Sequence, residues 1–91
     1  MSKSDRKTVS TQDTKEIIRA YILEEFLLGE DPAELTDSTP LITGGILDSL
    51  STIKLVVFLE KQFRIKFQAH ETMVDYLNTI SDIAQLVHSK L

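Results

Sequence analysis

Gly44-Gly45-Ile46-Leu47-Asp48-Ser49-Leu50 is the stretch on which the reading of this chain turns. Its two glycines can take positive φ and make the backbone supple. Asp48 follows, and its carboxylate suits the N-cap of a helix, where it accepts a hydrogen bond from an orphan N–H of the first turn. Ser49 then falls at the first helical position, exposed and close to the positive end of the helix dipole. A hydroxyl is tolerated there and a phosphate is favoured. Asp-Ser before an apolar run is also a common simple cap, so the surroundings must decide between a cap and a site.

Downstream, the spacing predicts a helix from Ser49 to about Gln62. Leu50, Ile53, Val57 and Glu60 share one side of it and Val56, Leu59 and Phe63 the next. An apolar arc this wide suits a central helix that contacts several others. Phe63-Arg64-Ile65-Lys66-Phe67 alternates like a strand but has no partner strand, so it reads as an extended linker whose Phe63, Ile65 and Phe67 dock on helices. A short helix is expected over Glu71–Tyr76. Thr79-Ile80-Ser81-Asp82 is a capping-box pattern, and Ile80, Ile83, Ala84, Leu86 and Val87 form the stripe of a last helix reaching about Ser89.

Upstream, Asp13-Thr14-Lys15-Glu16 also has the form of a capping box. Ile18, Ile22 and Phe26, with Ile17 and Tyr21 beside them, then mark a helix of about four turns that Gly29 can end. Residues 30–47 make a long connection. Asp31-Pro32-Ala33-Glu34 can open one helical turn with proline first, Thr39-Pro40 favours extended backbone, and Leu35, Leu41, Ile42, Ile46 and Leu47 can pin the loop to the core. The fold class is all-α: a four-helix bundle of three main helices and one short one, with a long first loop. Residues 1–12 read as a disordered leader and residues 13–91 as the single domain.

Composition narrows the function. Ninety-one residues without cysteine offer no disulfide, thiolate nucleophile or zinc–thiolate site, and a core too small for an elaborate catalytic cleft. No apolar run approaches the roughly 20 residues of a membrane span, and no secretory signal is visible, which points to the cytoplasm. The net charge is −4; residues 1–12 carry Lys3, Arg6 and Lys7 against Asp5, a charge of +2, which leaves −6 on the domain. Nucleic acid is a poor partner for such a surface. Gly-x-Ser-x-Gly is absent, and His70 and His88 lack partners suggesting a triad or a metal site, so neither catalytic residues nor a metal is expected. Phe26, Phe58, Phe63, Phe67 and Met73 read first as packing residues. The acids Glu24, Glu25, Glu30, Asp31, Glu34 and Asp37 read as solvated.

The order of elements resembles that of acyl and peptidyl carrier proteins over about residues 14–90. The resemblance is carried by Thr39-Pro40-Leu41-Ile42, by Ile46-Leu47-Asp48-Ser49-Leu50 and by Ile53, Leu55, Val56, Leu59 and Phe63. Leu77-Asn78-Thr79-Ile80 is a weaker echo. It implies a 4′-phosphopantetheine cofactor attached covalently to Ser49 by a phosphopantetheinyl transferase with coenzyme A as donor. Asp48 and Leu50 would belong to the enzyme's grip, and Ile46, Leu47, Ile53, Lys54 and Met73 to partner recognition. Between Ser49 and Gln62 the helix carries Lys54 and Lys61 against Glu60, a departure from the acidic helix of fatty-acid carriers. The Gly-Ile-Leu-Asp-Ser-Leu form looks more like stand-alone aminoacyl or peptidyl carriers. Such a protein, a monomer, would hold an amino acid or other small acyl group as a thioester, between an adenylating ligase and a downstream oxidase, condensing enzyme or transferase. A fatty-acid or polyketide carrier, and a helical interaction module without a cofactor, are the alternatives.

Overall fold

Four α-helices and two 3₁₀ turns account for the regular structure of this computed structural model, which describes residues 10–91; no strand occurs among them. The helices are α1 (Thr11–Phe26), α2 (Ser49–Phe63), α3 (Val74–Leu77) and α4 (Ile80–Lys90), with 3₁₀ turns at Pro32–Glu34 and Ala69–Thr72. The expected helical bundle with its long first loop is thus present. The expectation for residues 1–9 lies outside the described residues.

Local chemistry sets most helix ends. Ser10 caps α1, its hydroxyl accepting the Asp13 N–H at 3.0 Å. The helix therefore begins ahead of the expected Asp13 cap and takes in residues 11 and 12 of the expected leader. It stops at Phe26, and Gly29, with φ +91°, lies in the turn beyond it rather than at its immediate end. Asp31 caps the first 3₁₀ turn by accepting the Ala33 N–H, with Pro32 in first place as expected. Thr79 caps α4 by accepting the Asp82 N–H. Arg64 ends α2 in the left-handed region, with φ +57°. The short helix expected over Glu71–Tyr76 is split at Met73 into a 3₁₀ turn and α3.

The core gathers Ile18 and Ile22 from α1, Leu55 and Leu59 from α2, Leu77 from α3, and Ile80, Ile83, Ala84, Leu86 and Val87 from α4. Fully burying a side chain of this size contributes about 1.5–3 kcal/mol. Leu35, Leu41 and Leu47 are buried too, which is why so long a loop is held. Phe26, Phe58, Phe63 and Phe67 are half-buried against this core. Tyr21 of α1 stacks on Phe58 of α2 at 4.0 Å, with Phe26 edge-on at 5.7 Å. Burial, with Glu25 nearby, raises the Tyr21 pKa.

Polar bonds complete the hold on the loop. Arg19 donates to the Leu35 carbonyl and pairs with Asp37 at 2.9 Å, while Lys15 pairs with the other Asp37 oxygen at 3.2 Å. The Asp37 carbonyl accepts the Ser81 N–H. Asp37 is therefore a strut between α1 and α4, and not the solvated acid expected from its acidic neighbours.

Candidate functional site

Ser49 stands where the loop meets α2. Asp48 is extended there, with φ −91° and ψ −171°, and its carboxylate accepts the Ser51 N–H at 2.8 Å. That bond lowers the Asp48 pKa. The Asp48 carbonyl takes the Thr52 N–H and hydroxyl, at 2.9 and 2.8 Å. With Ser51 and Thr52 satisfied and the Leu50 N–H turned toward the Asp48 carboxylate, the Ser49 N–H is the donor of this turn left without an acceptor. Ser49 is exposed, and among the described residues no hydrogen bond engages its hydroxyl. An anion esterified to it would meet the free Ser49 N–H and the positive end of a helix of 15 residues, an interaction worth about 0.3–1 kcal/mol at an exposed site.

The loop before Ser49 is shaped by its two glycines. A Cβ on Gly44 would collide with the Pro40 carbonyl oxygen, so only glycine fits the tight return. Gly45 takes φ +85°, and the Leu47 N–H then closes onto the Leu41 carbonyl at 2.9 Å. Of the glycine pair, one is required for close approach and the other for its backbone angle. Asn78, between α3 and α4, supplies the second hold. Its side-chain oxygen accepts the Ile42 and Thr43 N–H groups at 2.9 and 3.0 Å, and its own carbonyl accepts the Leu41 N–H at 2.6 Å.

Beside Ser49 lies an open groove of about 710 Å³. Ile42, Leu47, Asp48 and Ser49 line one end, Thr52, Ile53, Val56 and Val57 the α2 side, and Thr72 and Val74 the opposite wall. Its apolar lining and its position at the serine suit the stem of a flexible arm. A free hydroxyl, the N-terminus of a long helix and an adjoining groove together fit a phosphopantetheine group.

Of the residues expected at the site, the structure gathers Asp48, Ser49, Leu50, Ile46, Ile53 and Lys54 around the start of α2. Leu50 is 62% exposed and Ile53 60%, and Lys54 is exposed; Ile46 is half-buried. Leu47 is 1% exposed. Its side chain is part of the core, so the expectation that it contacts partners is corrected. Met73 is 62% exposed, at the junction before α3, and does not fill a core gap. Val57, 44% exposed, continues the Leu50–Ile53 face and was legible from its place on the same side of the helix. Asn78 was noted from the sequence only within the Leu77–Ile80 echo, and Val74 not at all, because each acts on residues more than 15 positions away.

Neither histidine addresses Ser49. His88 bonds to the buried Thr14 hydroxyl at 2.7 Å, and His70 lies edge-on to Tyr76. No group of three or more metal-ligating side chains is found among the described residues, and none of the helices is long and apolar enough to cross a membrane.

Residues 18–87 match the family described as "Phosphopantetheine attachment site". The chain is 37% identical over 81 residues to the D-alanyl carrier protein of Streptococcus suis (strain 98HAH33), covering 85% of this chain and 99% of the relative. It is 40% identical over 70 residues to the D-alanyl carrier protein of Streptococcus pyogenes serotype M5 (strain Manfredo), covering 75% of this chain and 87% of that one. The match spans most of the chain and both ends of the bundle, and the chain belongs to the phosphopantetheine-attachment family of carrier proteins, whose cofactor is a covalently attached 4′-phosphopantetheine.

Proposed function

We propose that this carrier-family chain bears its 4′-phosphopantetheine on Ser49 and uses the arm to hold an amino acid, with D-alanine the first candidate. The observation that carries the reading is the placement of one unengaged serine hydroxyl at the first position of α2, at the lip of an apolar groove. The names of the relatives, D-alanyl carrier proteins, support an amino-acid cargo. Bound to Ser49, the cofactor supplies a thiol that holds an acyl group as a thioester. The residues of the chain bind and orient. Asp48 fixes the start of α2, the Ser49 N–H and the positive end of the helix face the phosphodiester, and the groove shelters part of the arm.

The partners of this reading are a phosphopantetheinyl transferase, an ATP-dependent adenylating ligase, and a downstream enzyme that oxidises, condenses or transfers the cargo, all in the cytoplasm. Leu50, Ile53 and Met73 are the apolar residues within reach of them, with Lys54 beside and Ile46 at the edge.

Co-expression with a broad-specificity phosphopantetheinyl transferase followed by intact-mass analysis tests the attachment. One arm should be added to the wild type and none to Ser49→Ala. An unmodified wild type, or an adduct that survives in Ser49→Ala, overturns the assignment. Loading the holo protein with ATP, ligase and D-alanine tests the cargo; acceptance of long-chain acyl groups alone would show a fatty-acid carrier instead.

A further inference from the structure

The far end of α1 is electrostatically incomplete. Its last turn carries Glu24 and Glu25 and no basic residue, whereas the C-terminal end of a helix favours cations. No lysine or arginine occurs between Ala20 and Ile53, and Glu30, Asp31 and Glu34 follow in that stretch, all exposed. The cations before it, Lys15 and Arg19, are both committed to Asp37. Among the described residues none of these five acids takes part in an ion pair. The backbone does not relieve the charge. The Leu27 N–H closes onto the Ile22 and Leu23 carbonyls and the Glu30 N–H onto the Leu27 carbonyl. That leaves the carbonyls of Glu24, Glu25 and Phe26 without an N–H donor among the described residues.

An apolar pocket of about 350 Å³ opens here, with Glu24 and Glu30 in its lining. Ala20, Leu23 and Leu27 make its α1 wall, at the i, i+3 and i+7 spacing of one helix face, and Leu28 and Pro32 close it from the turn beyond. Ile18 and Ile22 already supply the buried contribution of α1 to the core. Leu28, 82% exposed, is surface that the fold itself does not use. The pocket shares no lining residue with the groove beside Ser49.

We propose that this pocket receives a segment of a partner protein that presents an apolar side chain between lysines or arginines. The apolar side chain enters against Leu23, Leu27 and Leu28, and the cations meet Glu24, Glu30 and the open carbonyls at the end of α1. Charge complementarity selects this occupant. An acidic segment or an anionic lipid surface would be repelled, and a purely apolar one would desolvate the carboxylates without pairing them. Because the two linings are separate, such a segment can stay bound while Ser49 and its groove are engaged by another protein. The end of α1 is then a second handle on the domain, and this inference does not depend on where the arm is attached.

The test maps amide chemical shifts of the full chain on titration with a capped synthetic peptide that sets a leucine pair between lysines. At low ionic strength the shifts should centre on Leu23, Glu24, Leu27, Leu28 and Glu30, with Ser49 unmoved. Glu24→Lys with Glu30→Lys should weaken binding about tenfold, and the difference should collapse near 1 M salt, where the Debye length is about 3 Å. Leu28→Ala should weaken it about threefold and leave the circular dichroism unchanged, because that side chain is exposed. Asp75→Lys with Asp82→Lys, acids that line a different pocket, should leave it within about twofold. Equal binding by a peptide with alanine in place of leucine, or shifts as large at Asp75 and Asp82, would show attraction by charge alone and overturn the pocket. Self-association abolished by Leu28→Ala would assign the pocket to a second copy of this chain. Movement of the signals of residues 27–30 in the chain carrying Lys3→Ala, Arg6→Ala and Lys7→Ala would assign it to the chain's own first residues. Either result overturns the proposal of a separate partner.

Discussion

The two sides of α2 are both apolar, yet they do opposite things. Leu55 and Leu59 are completely buried and hold the helix to the bundle, while Leu50, Ile53 and Val57 are between 44% and 62% exposed and hold nothing inside the domain. Scattered exposed apolar residues are ordinary. A contiguous ridge beside an exposed serine and a groove is a different matter, because it keeps apolar surface in water that the fold does not need there. On the proposed function, one helix separates stability from recognition by face, and substitutions on each side should report on only one of the two.

The sharpest break is expected on the inner side. Leu59→Ala removes a fully buried side chain and should cost about 2–5 kcal/mol, read by urea denaturation. A domain of this size has little reserve, so unfolding at ambient temperature is within that range. A smaller loss is expected from the loop. Asn78→Ala leaves the Ile42 and Thr43 N–H groups without their acceptor and should cost about 1–3 kcal/mol. It should also slow modification of Ser49 by the transferase, because the loop that presents α2 is no longer held. Asn78→Asp keeps an acceptor and should recover part of the rate.

On the outer side, Ile53→Ala should change stability by no more than about 0.5 kcal/mol, within the range of surface substitutions. Its loading KM should nevertheless rise. A large fall in stability would show that the ridge belongs to the core after all. The smallest expected effect comes from pH. Asp48 is held below the usual carboxylate range chiefly by the Ser51 N–H, and Glu71 by the Gln68 N–H and then by Lys90 at 2.7 Å. A carboxylate whose pKa is lower in the folded state contributes stability that is fully present above its unfolded value and is lost as pH falls through the folded one. Melting temperature should therefore hold steady from neutral pH down to about 5 and decline below it. Asp48→Asn and Glu71→Gln should each flatten that decline.

Where a helix end is fixed by neighbours in sequence, the sequence was readable. Asp48 before Ser49, Thr79 before Ile80, and Asp31-Pro32 each declare a cap through bonds spanning three residues or fewer. The start of α1 was not readable in this way, because Ser10 and Asp13 both offer a cap oxygen and the apolar stripe begins after either. The inner face of α2 was also hidden. Leu50, Ile53 and Val57 fit a helix stripe as well as Leu55 and Leu59 do, and only the positions of α1 and α4 decide which stripe is covered. Ser49 itself was legible from its cap and loop. Asn78 and Asp37 were not, since Asn78 acts on residues more than 30 positions away and Asp37 joins Arg19 to the start of α4.

The bonds from Asn78 to the loop also set a clock on the ribosome. Ser49 is synthesised 29 residues before Asn78, an interval of about 1–6 s at the usual 5–20 residues per second. Throughout it the serine exists while the side chain that steadies its loop does not. On the proposed assignment of the arm to Ser49, a nascent chain offers the transferase an unformed target, and the finished domain is the first state that presents the serine on a steadied loop.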